Sequence, residues 1–520
     1  MKKLDKIALL KNVGSSWFAL GINIVVGVLL SPYILHHLGD EAFGLWVLIF
    51  SITGYYGLFD LGIRSSIVRY VATFSATSDQ TELDRLISTA LFTYTGIGLV
   101  ALLVTLTGSV YVASIFRISA DFLHTARWLF LIVGSAVALG FPLGISGGIL
   151  EGLQRFYLLN FTNISATLIR ALLIVLALRH GGGLLTVALI TVSMPLFSGM
   201  VNAIAVLRLL PLRLSIKNVN RGSLRRIATY SSSTLIIIVA ARLRFKTDAM
   251  VIGTFLSSAA ITYFAIGSRL VDYAGEVVSG LAQVFVPMSS QSDATGDLAG
   301  LRKIFVAGNR ACALIIFPMA AILIILGKSV IEAWVGRRYV ATSYPVLLML
   351  IIPSTLLWSQ SASARVLFGM AKHKTLAIVT LLEGSSNLFL SIFLVRRFGI
   401  LGDAAGTAIP LVCTALFFLP RHLCRVLKLS VGIYLREAFL LPLILCAPLV
   451  AVLLLVRHWF VAHNFLQLAV QLVAGAIVYG AGLLWAVTTR KVWHVQGIHD
   501  QDTANQVAGG LIETYQQEEV

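Results

Sequence analysis

Four charged residues stand within seven positions of an otherwise apolar stretch: Arg242, Arg244, Lys246 and Asp248. On a helix, Arg242 and Lys246 share one face at i,i+4. Arg244 and Asp248 share another face, where they can pair. The next apolar stretch carries Arg269, Asp272 and Glu276, with Tyr273 among them. Arg269 and Asp272 at i,i+3, with Asp272 and Glu276 at i,i+4, make one polar stripe. Arg170, Arg310 and Glu383 stand alone in other apolar runs, and Arg365 falls in the last turn of one. Asp60 and Arg64 lie at i,i+4 at the inner end of another. An arginine fork gives a phosphate two parallel hydrogen bonds, so Arg242, Arg244, Lys246, Arg269 and Arg365 are candidates for an anionic headgroup. Adjacent carboxylates repel, which suits Asp272 and Glu276 to exchange of a coupling ion. Asp248, Asp60 and Arg64 are further candidates for coupling or gating. The blander reading, pairing between helices or snorkelling to an interface, stays open for Asp60 with Arg64, for Arg310 and for Arg365. Without charges in the first or last turn of a stretch, six basic residues face four acidic ones, a modest cationic excess.

These residues need elements that tolerate them. Of 520 residues, 58% are hydrophobic and only 12% charged. A soluble domain carries about 25% charged residues, and could not hide this much apolar side chain in its core. Lipid is the solvent that fits. A crossing needs roughly 17–25 apolar residues. About fourteen such segments are expected, at 13–35, 42–62, 88–112, 124–149, 157–178, 184–207, 228–253, 260–286, 304–326, 343–367, 375–395, 402–420, 435–456 and 465–488. The first is too long for a signal-peptide core and reads as a retained helix. The polar end from Val492 reads as a soluble or disordered tail. A charge in the hydrocarbon costs a few kcal/mol or more and so points to function.

Basic residues orient the chain. With the N-terminus inside, roughly 23 of the 40 fall in inner segments and roughly 8 in outer ones. The strongest inside signals are Lys2, Lys3, Lys6 and Lys11, and the loop with Arg208, Arg213, Lys217, Arg221, Arg225 and Arg226. An even number of crossings puts the C-terminus inside as well. The net charge of +17 is this topology signal rather than a nucleic-acid patch, since it lies where anionic inner-leaflet lipid would be. Cys312, Cys413, Cys424 and Cys446 lack CxxC spacing and read as small core residues. Without a metal-binding Cys/His cluster, no metal or cofactor is expected.

The chain repeats itself. At a shift of 218, Ala76, Thr77, Asp79, Leu83, Arg85 and Leu86 fall on Ala294, Thr295, Asp297, Leu301, Lys303 and Ile304. At 217, Gly152, Leu153 and Arg155 fall on Gly369, Met370 and Lys372, and Arg179 and Gly182 on Arg396 and Gly399. Each copy starts six crossings after its partner, so the halves are parallel repeats about an axis along the membrane normal, an arrangement of rocking transporters. The expected division is 1–210 for the first six-helix lobe, 211–227 for a basic inner linker and 228–430 for the second lobe. A helix pair over 431–491 and the tail 492–520 follow.

Three segments carry a family likeness. LLSPYILHHLGDEAFGLWVLIFSITGYYGLFDLGIRSSIVRYVA (Leu29–Ala72) has Pro32 late in its first helix, then Leu38, Gly39, Phe43 and Gly44, and ends its second helix in Asp60–Gly62. LEGLQRFYLLN (Leu150–Asn160) and TDAMVIGTFLSSAAITYFAIG (Thr247–Gly267) follow. Together they resemble the polysaccharide transporter (oligosaccharide flippase, Wzx-like) family of the multidrug/oligosaccharidyl-lipid/polysaccharide exporter superfamily, over most of residues 10–430. The resemblance implies an all-α membrane protein with two six-helix lobes in a V-shaped exporter fold. It implies a flippase moving a lipid-linked oligosaccharide across a bacterial cytoplasmic membrane, with no covalent chemistry. Membrane lipids, a polysaccharide polymerase and glycosyltransferases are the partners such a role implies; nucleic acid is not. The lipid II flippase branch is similar in span count, but its pattern has an Arg and an Asp in the first helix, and residues 13–35 hold neither. The drug-exporting branch often has a carboxylate there, also absent. A membrane enzyme would need a large external loop, whereas the first is only His36 to Glu41.

Overall fold

The computed structural model describes residues 6–229, 239, 242, 247–459 and 465–489. Every element among them is helical. The chain divides into two compact units, Met1–Ala265 with Thr380–Asp403, and Ile266–Val379 with Ala404–Val520.

The first unit holds α1 (Lys6–Leu38), α2 (Asp40–Gly54), α3 (Ile63–Ala76), α4 (Gln80–Ile115), α5 (Leu123–Gly152), α6 (Phe156–Arg179), α7 (Leu184–Leu209) and the short α8 (Asp248–Phe255). Helix α5 packs along α4 and α7, and α6 along α1 and α7. Ile63, Ile67 and Val71 of α3 bury against Leu83 and Leu86 of α4 and Ile145 and Ile149 of α5. Helix α9 (Ser258–Ala282) runs from this unit into the second. The second unit contains α10 (Phe285–Ala294), α11 (Leu298–Val335), α12 (Val340–Trp358) and α13 (Ser361–Gly369). Most of α14 (Lys374–Cys413) belongs to the first unit. Then come α15 (Leu419–Val426), α16 (Val431–Trp459) and α17 (Phe465–Thr488). Helix α11 is the spine of the second unit, flanked by α12, α13 and α16. Exposed Leu99, Leu103, Phe161, Phe389 and Leu466 mark faces that suit lipid.

Among the described residues, eleven helical segments are long and apolar enough to cross a membrane. One, Lys374–Val426, is 53 residues long and breaks at Gly399, whose φ of 58° and ψ of −141° leave the helical region. It covers the eleventh and twelfth expected crossings. The eighth falls on the helix α9, which is not among these eleven, since the charged stripe lowers its hydropathy. The seventh falls largely on residues outside the description. Prolines 32, 142, 195, 318, 410, 442 and 448 sit inside helices. Cys312, Cys424 and Cys446 are buried as expected, whereas Cys413 is exposed.

The repeat is written in the backbone. Asp79 caps α4 by accepting from Glu82 N–H, and Asp297 caps α11 by accepting from Gly300 N–H. Left-handed residues recur at offsets of 217 or 218: Ser78 (φ 56°) with Gly296 (φ 69°), Gln154 (57°) with Ala371 (55°), and Gly181 (80°) with Gly399 (58°), the last pair one position from the sequence match at Gly182. Gly152 lies against Val68 and Val71, and Gly369 against Val286 and Ser289, the same crossing made twice.

Candidate functional site

A cavity of about 610 Å³ opens inside the first unit. Its wall is apolar from Val133, Val137 and Phe141, and polar from Asp60, Arg64, Asn163, Arg170, Ser198 and Asn202. Small residues make the space. Gly54 ends α2 and Gly57 lies just beyond it, while Gly140, Gly144 and Gly147 come from one stripe of α5. The helix of the second crossing tightens into a 3₁₀ segment, Tyr55–Asp60, and then turns through left-handed Leu61 (φ 51°) and Gly62 (φ 78°).

That turn alters the expected pairing. Helical i,i+4 spacing would join Asp60 and Arg64, but the chain is not helical between them. Asp60 instead accepts a hydrogen bond from the Tyr94 hydroxyl. Arg64 holds Glu151 of α5 at 2.7 Å through Nη2 and 3.4 Å through Nε. Arg170 of α6 faces this cavity half-buried. Its Nε is buried and finds no acceptor among the described residues. Ser198 donates to Asn163 Oδ1 at 3.1 Å and Thr162 to Asn202 Oδ1 at 2.9 Å, so both amides are oriented by neighbours. Arg242 is half-buried, and its guanidinium lies against Gly57 of the cavity wall. The Tyr55 hydroxyl bonds Thr247 Oγ1 at 2.9 Å. Arg244 and Lys246 lie outside the described residues.

Asp248 opens α8 and lies close enough to Asp403 of α14 to feel its charge. Asp403 is 0% exposed, and neither of its carboxylate oxygens accepts a hydrogen bond among the described residues. Glu383, Asn387 and Ser391 are buried along the same helix. Ser391 donates to Asn387 Oδ1 at 3.1 Å and to the Asp403 carbonyl at 3.2 Å.

In the second unit the stripe of α9 is real. Arg269 and Asp272 are exposed and Glu276 half-buried. Arg269 reaches Glu276 at 3.7 Å, two turns along, and stacks over the Tyr273 ring at 4.6 Å. Arg365 of α13 is half-buried. Arg310 is structural: it is 3% exposed and bonds the Glu437 carbonyl at 2.6 Å and its carboxylate at 3.1 Å.

The structure thus brings Asp60, Arg64 and Arg242 to one cavity region. It sets Arg269, Asp272 and Glu276 on one helix face. Two residues gain weight over their sequence reading. Arg170 is the single charge in its crossing before the terminal Arg179, a signal present in the sequence. Asp403 sits at the second position of an expected crossing, where it reads as an interface charge; the helix continuing past Gly399 buries it. No metal-binding group of three His, Cys, Asp or Glu residues occurs among the described residues.

Helical bundles with apolar outer faces, here around a mostly apolar cavity that carries a few charged and amide side chains, define a multi-pass membrane protein class, and comparison with known proteins agrees. Residues 37–344, more than half of the chain, match the family of the polysaccharide biosynthesis protein (Polysacc_synt_3), and the chain belongs to that family. It is similar to the "Putative O-antigen transporter" of Shigella flexneri, 20% identical over 424 residues, 79% of this chain and 96% of that one. It is also similar to the "Uncharacterized membrane protein EpsK" of Bacillus subtilis (strain 168), 20% identical over 437 residues, 82% of this chain and 85% of that one. Among solved structures, the lipid II flippase MurJ in an inward closed conformation matches at TM-score 0.72 and 16% identity, covering 92% of this chain and 99% of that one. An inward-facing multidrug resistance MATE family transporter of the MOP superfamily matches at 0.66 and 14%, covering 78% and 94%. Such identities speak to the fold alone. The chain is a multi-pass membrane protein with the fold of the MOP exporters, a transporter rather than an enzyme.

Proposed function

We propose that this protein flips a polyprenyl-(pyro)phosphate-linked oligosaccharide repeat unit, such as an O-antigen or exopolysaccharide unit, from the inner to the outer leaflet of a bacterial cytoplasmic membrane by alternating access. The observation that carries this reading is the cation in the first-unit cavity. Arg170 faces the space with no carboxylate paired to it among the described residues. The Arg170 side chain is half-buried and its buried Nε lacks an acceptor among the described residues; a phosphate oxygen is the acceptor its fork fits best. The oriented amides of Asn163 and Asn202 are suited to sugar hydroxyls. The family and the O-antigen transporter relative support the same substrate class.

In this reading Arg242, Arg244, Lys246, Arg269 and Arg365 contact or steer the headgroup. Arg64 with Glu151, beside Asp60, serves as a gate. Asp248, Asp272 and Glu276 serve ion coupling. Two six-helix lobes, 1–210 and 228–430, move about the basic linker 211–227, with both termini inside. A polymerase and glycosyltransferases act before and after the step. The lipid II flippases and the cation-coupled drug exporters of the same superfamily are the alternatives.

The test is flipping of a fluorescent undecaprenyl-pyrophosphate oligosaccharide in proteoliposomes. Wild type transports it, while Arg170→Ala, Arg242→Ala, Arg244→Ala and Lys246→Ala each lower the rate with folding intact. Export of a cationic dye, with no flipping of any lipid-linked sugar, overturns the reading.

A further inference from the structure

A second basic site lies far along the chain from the cavity. After Pro410 the helix widens into a π turn over Thr414–Phe418 and resumes as α15. The wide turn rotates the register. Leu419, Leu423 and Leu427 then bury into the core around Phe305 and Tyr434. Arg421 and Arg425, at i and i+4, share one face of α15, Lys428 stands just past its end, and all three are exposed. They line a pocket of about 470 Å³ whose other walls are Cys424, Leu429, Ser430 and Val431.

Among the described residues no acidic one lines this pocket, and residues 404–436 contain neither Asp nor Glu. The next carboxylate, Glu437, is held by Arg310 at 3.1 Å. The pocket floor is fixed from below. Buried Arg302 of α11 donates from Nε to the Leu427 carbonyl at 2.8 Å and from Nη2 to the Lys428 carbonyl at 3.0 Å. That cation occupies the carbonyls that end α15 and holds Lys428 in a left-handed conformation, φ 50°. Leu416 and Phe417, in the turn before α15, are exposed, and the Arg421 guanidinium stacks over Phe417 at 5.6 Å.

We infer that this pocket binds the phosphate headgroup of an anionic phospholipid of the inner leaflet, with its acyl chains lying on Leu416 and Phe417. Three cations on a rigid face, with an apolar shelf beside them, match a headgroup joined to its tails. The inner-leaflet placement rests on the topology proposed above, in which the twelfth crossing ends inside. Basic pockets between membrane helices on that side take such headgroups.

The test is lipid retention by the full-length protein in detergent, counted by native mass spectrometry after exposure to mixed phosphatidylglycerol, cardiolipin and phosphatidylcholine. Wild type retains the anionic lipids selectively. The triple variant R421Q/R425Q/K428Q loses about tenfold or more of that retention. K217Q/R221Q/R225Q, which removes the same charge from the exposed linker, keeps it. R421K/R425K/K428R keeps most of it and serves as the folding control; should the glutamine triple not fold, Arg425→Gln alone is read the same way. Equal loss in both glutamine triples means diffuse attraction and overturns the site. Retention unchanged in the first triple also overturns it, as does displacement of the lipid by millimolar pyrophosphate, which marks a free-anion site. Retention is read without transport, so failure of the flippase reading leaves this result untouched.

Discussion

Two arginines of similar sequence character have opposite circumstances. Arg310 and Arg170 each stand in the middle of an apolar run. Arg310 is buried between α11 and α16 and donates to the carbonyl and the carboxylate of Glu437. Removing one partner of a buried pair costs about 3–5 kcal/mol, because the other charge is left uncompensated. Arg310→Ala is therefore expected to lower thermal stability strongly, and Arg310→Met with Glu437→Gln to recover much of the loss in the same melt. Arg170→Ala removes a guanidinium that faces open space, so stability changes by less than about 1 kcal/mol. Its flipping rate falls about tenfold or more, the worth of one charge-assisted hydrogen bond. A melt in which Arg170→Ala is the more damaging of the two would reverse these assignments.

Helix crossings depend on single glycines made twice over. A Cβ at Gly152 would sit 2.8 Å from the Val68 carbonyl oxygen and 2.9 Å from Val71 Cβ. At Gly369 it would sit 2.6 Å from Ser289 Cβ and 2.8 Å from the Val286 carbonyl oxygen. Backbone cannot yield as a flexible side chain can, so Gly152→Ala and Gly369→Ala are each expected to cost roughly 1–3 kcal/mol. Gly21 in α1 has nothing within 4 Å of its would-be Cβ, and Gly21→Ala is neutral or stabilising by a few tenths of a kcal/mol. Fluorescence-detected melts of the three variants measure this, and equal behaviour at all three positions would refute it. The turn between α15 and α16 depends likewise on Arg302. Arg302→Ala leaves two carbonyls without their charged donor and costs about 2 kcal/mol.

The terminal helix pair lies outside the repeat, yet the second unit is built on it. Tyr434 of α16 is fully buried and stacks on Phe305 of α11 at 4.5 Å. Tyr479 of α17 donates to the Leu314 carbonyl at 2.5 Å, and Glu437 neutralises Arg310. Truncation after Ser430 exposes this face of α11 and leaves Arg310 without its counter-ion. The truncated chain is expected to fail to accumulate as a monodisperse species in size-exclusion chromatography. A well-behaved truncated protein would make the pair an accessory.

Composition and charge placement determined much here. Apolar runs of crossing length must leave water, so the membrane class and nearly all the crossings were legible. So was the repeat, including the match of Asp79 with Asp297; that both cap helices came from the structure, where each accepts from a first-turn N–H. The polar stripe of Arg269, Asp272 and Glu276 followed from helical periodicity. Partners did not follow from it. Asp60 bonds Tyr94, 34 positions away, and Arg64 bonds Glu151, 87 away, because left-handed Leu61 and Gly62 interrupt the helix between Asp60 and Arg64. Whether a guanidinium is neutralised, as in Arg310, or faces a cavity, as in Arg170, depends on which distant helix packs against it. Periodicity assigns a face; only the packing of helices remote in sequence decides what that face meets.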